Sequence, residues 1–145
     1  MKLLIITGPP GSGKTTYAKE INRKRRDSVP SLPEMMVYDT DLGNKNEWST
    51  HSTRKDVLSG AVSGDCILMT SAPSAKNKAY WLSIARTEGF EPKLLAIVLP
   101  RMLCYARMKS RDGLSPTQRN DLEKDIERWY RRYQRHPQER VYSGE

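Results

Sequence analysis

One stretch of this chain carries chemistry in its spacing alone: Gly8-Pro9-Pro10-Gly11-Ser12-Gly13-Lys14-Thr15 fits the pattern G-x-x-x-x-G-K-[ST]. Glycines let a backbone curl until successive N–H groups point at one spot, and a concavity lined by N–H groups suits phosphate oxygens. A helix starting directly after the loop adds the positive end of its dipole to the same place. Lys14 reaches toward β- and γ-phosphates, and the Thr15 hydroxyl is a ligand for Mg²⁺. The expected cradle is Gly8, Pro10, Gly11, Ser12, Gly13, Lys14, Thr15 and Thr16. Its context fits, because the apolar run Leu3–Ile6 precedes it and a helical pattern follows. The spacing predicts a site for a nucleoside triphosphate with its metal.

Transfer chemistry needs more than a cradle. A carboxylate must orient or deprotonate an attacking hydroxyl, and cations must steady the moving phosphoryl group. Asp39 and Asp41 follow the apolar run Met35–Tyr38 and are two apart, so an extended backbone turns both the same way. Either is a candidate base, with an Asx turn in Asp-Thr-Asp-Leu-Gly-Asn as the purely structural alternative. Arg107 and Arg111 are four apart, on one helix face, directly before the turn Asp112-Gly113. They are the candidate arginines of a lid. Further on, Arg119, Lys124, Arg128, Arg131, Arg132 and Arg135 alternate with Trp129, Tyr130 and Tyr133. Leu122, Ile126, Trp129 and Tyr133 keep helical spacing, so Trp129 is expected in the core and the arginines on an outer face. Asn44-Lys45-Asn46-Glu47 resembles a guanine-reading box, but it precedes the third strand and ends in Glu, and it is set aside.

The elements that must position these residues alternate between short apolar runs and helical patterns, which predicts βαβ units around a parallel sheet. Strands are expected at Lys2–Thr7, Met35–Tyr38, Cys66–Thr70 and Leu94–Leu99, and a fifth around Arg140–Tyr142. Helices are expected at Lys14–Arg26, Ser52–Val62, Ala75–Thr87 and Pro100–Lys109. A last one begins with Ser115 as cap and Pro116 in its first turn, and runs to Arg135.

A chain of 145 residues fits one domain, residues 1–145. Its 25 basic and 17 acidic residues leave a net charge of +8, which suits a polyanionic or phosphorylated partner. Cys66 and Cys104 lie in apolar segments without metal-ligand spacing and read as buried thiols of a reducing, cytoplasmic setting. The first apolar run is too short for a signal peptide, and no stretch has the length of a membrane span.

With the P-loop, the Asp-x-Asp after strand two and the Arg-x-x-x-Arg before a lid, the chain resembles small P-loop kinases. It is similar in particular to the phage polynucleotide 5′-kinase domain and to phage kinases of 5-hydroxymethyluracil in DNA. The resemblance covers Met1 to about Arg135. It implies an α/β P-loop NTPase fold of the nucleoside-kinase type, a three-layer sandwich with a central parallel sheet and a short helical lid. It implies Asp41 as general base, Asp39 beside it, and Arg111 on the transferred phosphoryl group. ATP and Mg²⁺ are the implied cofactors, and a hydroxyl of DNA, at a 5′ end or on a hydroxymethylated base, is the implied acceptor. The chain departs from the family in carrying Asn44 where an arginine is frequent and Ser71 where an acidic residue often closes strand three. These departures leave two further readings, a kinase of nucleotides or small metabolites and a non-catalytic NTP-binding switch.

Overall fold

A computed structural model of the chain describes residues 2–31, 34–39, 65–87 and 89–143, with Asp39 described by its backbone only. The helix expected at Ser52–Val62, Asn44 and Asp41 lie outside these residues.

Five strands form one sheet: β1 (Lys2–Thr7), β2 (Met36–Asp39), β3 (Cys66–Thr70), β4 (Glu91–Ile97) and β5 (Glu139–Tyr142). Their order is β2-β3-β1-β4-β5 and every pairing is parallel. Central strands of such a sheet must be apolar on both faces. Accordingly β3 is buried throughout, and Leu3, Ile5 and Ile6 of β1 are almost inaccessible. Alternation then sorts the side chains into two cores. Leu3, Ile5, Cys66, Leu68 and Leu94 meet Leu82 and Ala85 of helix α2 (Ala75–Thr87). Ile6, Ile67, Met69, Leu95 and Ile97 face Ala18 of α1 (Lys14–Ser28), Cys104 and Met108 of α3 (Arg101–Lys109), and Ile126 of α4 (Pro116–Arg132). Helices thus cover both sheet faces, which makes the expected three-layer α/β sandwich of the kinase-like P-loop type. Burying each Leu or Ile of these cores stabilises the fold by roughly 1.5–3 kcal/mol.

Several boundaries differ from the expected ones: β2 is Met36–Asp39 instead of Met35–Tyr38, α1 continues past Arg26 to Ser28, and β4 ends at Ile97 instead of Leu99. β4 begins at Glu91, not Leu94, because Glu91, Pro92 and Lys93 pair with Lys2, Leu3 and Leu4 although none of the three is buried. The last helix stops at Arg132, not Arg135, because the Gln134 N–H turns to the Pro73 carbonyl. Its start is as expected: the Ser115 hydroxyl accepts from the Gln118 N–H, the Gln118 side chain accepts from the Ser115 N–H, and Pro116 follows. The segment around Arg140–Tyr142 does form the fifth strand. Cys66 and Cys104 are buried and not joined in a disulfide, and Trp129 is 2 % exposed, in the core.

Candidate phosphate-binding site

The loop between β1 and α1 owes its shape to two glycines. Gly11 and Gly13 have φ of 78° and 89°, a region that side chains disfavour. Space forbids side chains as well: a Cβ on Gly11 would stand 2.9 Å from the Cys104 carbonyl oxygen, and one on Gly13 3.0 Å from an Arg107 guanidinium nitrogen. Helix α3 therefore lies directly against the loop. The N-cap of α1 is Gly13, which offers no side-chain acceptor, so the first N–H groups of that helix are left to a ligand. The Ser12 hydroxyl is buried with no partner among the described residues, a polar atom held within the loop. Lys14 Nζ donates to the Gly8 carbonyl at 2.7 Å, which keeps the ammonium folded over the loop it serves.

Around the loop opens a cleft of about 860 Å³. Gly11, Ser12, Gly13, Lys14, Thr15 and Thr16 form its floor, while Gly8 contributes its carbonyl to Lys14 and Pro10 stands half-buried in the loop outside the lining. Arg107 and Arg111 line the opposite wall. Arg107 also donates to the Gly11 carbonyl over a long 3.4 Å contact, so that guanidinium already sits over the cradle. Arg111, just past the end of α3, completes the pair that its spacing announces. Glu20 and Lys24 also line the cleft, and Ile97, Leu99, Leu103, Tyr17 and Tyr142 form an apolar stretch of its wall, with the two tyrosine rings 5.6 Å apart and tilted by 57°. Such a surface suits a planar base next to a polyphosphate. Beneath the loop, Cys104 Sγ lies 3.5 Å from the Tyr130 hydroxyl, which donates to the Leu99 carbonyl. Burial pushes both the Cys104 thiol and the Tyr130 phenol up, so both stay neutral and serve packing.

The carboxylates are placed less fully. The Asp39 backbone ends β2, opposite Met69, at the same carboxyl edge of the sheet as the phosphate loop. Asp41 lies outside the described residues. Sequence reasoning missed the cleft's aromatic wall. Tyr142 comes from the last strand, and only its place beside Val141 hinted at it. The contact of Cys104 with Gly11 has no local signal at all.

Comparison with known proteins agrees with this geometry. A family model described as an AAA domain matches residues 3–136. Among solved structures, the APS kinase of Mycobacterium tuberculosis in complex with AMPPNP and APS superposes with a TM-score of 0.63 at 18 % identity, over 97 % of this chain and 87 % of that one. Kti12 of Chaetomium thermophilum in complex with ADP-AlF3 gives 0.63 at 15 % identity, over 99 % and 89 %. A gluconokinase of Sinorhizobium meliloti 1021 gives 0.58 at 12 %, over 98 % and 82 %. No curated protein matches the chain. At such identities the likeness is one of fold, a kinase-like P-loop domain. No helix among the described residues is long and apolar enough to cross a membrane.

Proposed function

The chain belongs to this AAA domain family, and on that premise we propose that it transfers the γ-phosphate of ATP to a hydroxyl group. The observation that carries the proposal is the convergence of Lys14, Arg107 and Arg111 on the cleft floored by the phosphate loop. Loop N–H groups and the α1 terminus hold the triphosphate, and the base rests on the Tyr142 side of the cleft. Lys14 leaves the Gly8 carbonyl to meet the β- and γ-phosphates. Arg107 and Arg111 neutralise charge that develops on the moving group, which is where such catalysis mostly lies. The Thr15 hydroxyl would hold Mg²⁺, which when bound supplies further charge neutralisation at the phosphates. Asp41 orients or deprotonates the acceptor hydroxyl, and Asp39 supports the metal's water shell.

The acceptor we favour is a hydroxyl of DNA. A second groove of about 540 Å³ shares Leu99 with the cleft and carries Arg101, Arg131 and one carboxylate, Glu127. Among the described residues neither Arg101 nor Arg131 forms an ion pair, so both remain available to phosphates leaving the cleft. A second reading, a kinase of a nucleotide or small metabolite, draws on the gluconokinase and APS kinase that share the fold. The test offers γ-labelled ATP to DNA, hydroxymethylated DNA, free nucleotides, sugar acids and water in parallel. Label on DNA supports the favoured acceptor, and label on a small molecule moves the assignment to the second reading. Binding of ATP without label transfer to any acceptor leaves the non-catalytic switch.

A further inference from the structure

Ser71 follows Thr70, which pairs with Thr7, so the turn Ser71–Ser74 stands level with Gly8 at the start of the phosphate loop. This turn carries the chain's one described non-glycine residue with positive φ, Ala72 at 20°, and Ala72 is buried. A backbone held in that region persists only when its surroundings over-determine it. The surroundings here come from far along the sequence. Trp129 Nε1 donates to the Ser71 carbonyl at 2.5 Å. Gln134 takes the next three places: its N–H donates to the Pro73 carbonyl at 2.9 Å, its side-chain oxygen accepts from the Ala75 N–H at 3.2 Å, and its carbonyl accepts from Lys78 Nζ at 2.8 Å. Lys78, fully buried, also pairs with the equally buried Glu139 at the head of β5, and the Tyr133 hydroxyl donates to that carboxylate at 2.5 Å. The Tyr133 ring lies under Lys78 Nζ at 4.4 Å and stacks on Trp129 at 5.0 Å.

We propose that the α4–β5 connection is a clasp that fixes the turn beside the phosphate loop, with Trp129 and Gln134 as positioning residues for the phosphoryl-transfer site. The physical reason lies in where the partners come from: the Ser71 and Pro73 carbonyls, the Ala75 N–H and the Lys78 ammonium are all bonded to residues 129–139. A buried lysine beside a buried glutamate tolerates no loosening, since either alone would be an uncompensated charge. The same connection sets where β5 starts, and β5 delivers Tyr142 to the cleft. One polar cluster thereby ties together the turn next to Gly8 and the strand that walls the base side.

The test uses Trp129→Phe, which keeps an aromatic ring and removes the N–H, and Gln134→Met, which removes the side-chain amide and keeps the backbone N–H and carbonyl. Hydrogen exchange of the peptide Ser71–Lys78 should quicken by about tenfold in Trp129→Phe, the order expected when one part-buried hydrogen bond is removed, and by less in Gln134→Met, whose bond to Ala75 is exposed, while the peptide spanning β1 and the phosphate loop stays protected. Nucleotide affinity should not change. Acceptor KM should rise and kcat/KM fall by about tenfold, a split that mere loss of stability would not produce. This kinetic arm rests on the kinase reading; the exchange arm does not. If the wild type transfers phosphate to nothing, the kinase reading falls and exchange alone decides the clasp. Exchange unchanged at Ser71–Lys78, or raised evenly over all strands, would overturn it. Raised local exchange with wild-type transfer kinetics would overturn the positioning role.

Discussion

Two arginine-rich regions of this protein face opposite fates. At the end of α1, Arg23 binds Glu20 and Asp27, Arg25 meets Asp65 at 3.2 Å, and Arg26 meets Glu34 at 3.3 Å. The Arg23 hydrogen bond holds the Glu20 carboxyl below its ordinary range. Along α3 and the turn after it, Arg101, Arg107 and Arg111 have no carboxylate partner among the described residues, and two of them line the cleft. The denser basic run in the sequence is therefore the quieter one. The charge of its arginines is spent locally, although Lys24 lines the cleft, whereas Arg107 and Arg111 line the same cleft with no carboxylate partner among the described residues. What matters for an anionic substrate is uncompensated charge next to a cradle, not the number of arginines in a row.

The comparison can be broken most severely at the cradle. Lys14→Ala should abolish transfer with the fold intact, read as loss of labelled product against an unchanged thermal midpoint. Transfer at near wild-type rate would mean the site is elsewhere. Next in size, Asp41→Asn should leave ATP affinity alone and slow single-turnover transfer by about 10²–10⁴-fold, the usual worth of a positioned base. Asp39→Asn should cost less and raise the Mg²⁺ requirement; the reverse order would exchange the two roles. The Arg101 and Arg131 groove gives a smaller effect, visible in salt. If DNA lies along it, Arg101→Gln with Arg131→Gln should lower the slope of log affinity against log salt by about 1.5, roughly 0.7 to 0.9 for each phosphate that is no longer neutralised. A slope already flat in the wild type would favour a small acceptor. Arg128 belongs outside this set, since it pairs with Asp125. Smallest of all, Arg23→Gln should leave catalysis untouched and shift the thermal midpoint by no more than a few degrees, as exposed pairs do.

Much of this layout is legible in the sequence because its determinants are contiguous. The phosphate loop is eight consecutive residues, and the central strands are unbroken apolar runs that only a doubly covered sheet accommodates. Arg107 is legible as a helical residue, whereas Arg111 reaches the cleft from just past the helix end and not from the helix face that its spacing suggests, and Trp129 is legible through its stripe with Leu122 and Ile126. Illegible features are those decided by distant partners. Lys78 reads as a surface lysine of an ordinary helix, yet it is sealed inside because Glu139, Tyr133 and Gln134 return to meet it. The start of β4 at Glu91 and the end of α4 at Arg132 are set by β1 and by Pro73, and local propensity does not register either. Gly11 announces a turn, but not the Cys104 carbonyl that would clash with any side chain there.

Position, not total charge, should make the arginines of α3 and the turn after it act on the transferred group. This is tested most directly by a charge-matched pair of double variants, Arg107→Ala with Arg111→Ala and Arg23→Ala with Arg26→Ala, compared in single-turnover transfer at saturating ATP. Each removes two positive charges. The account predicts that the first pair slows transfer by about 10³-fold or more, the scale of arginine stabilisation in phosphoryl transfer. It predicts that the second leaves transfer within about twofold of wild type, since those side chains already answer to local carboxylates. Equal losses in the two, or a first pair that transfers normally, would contradict it.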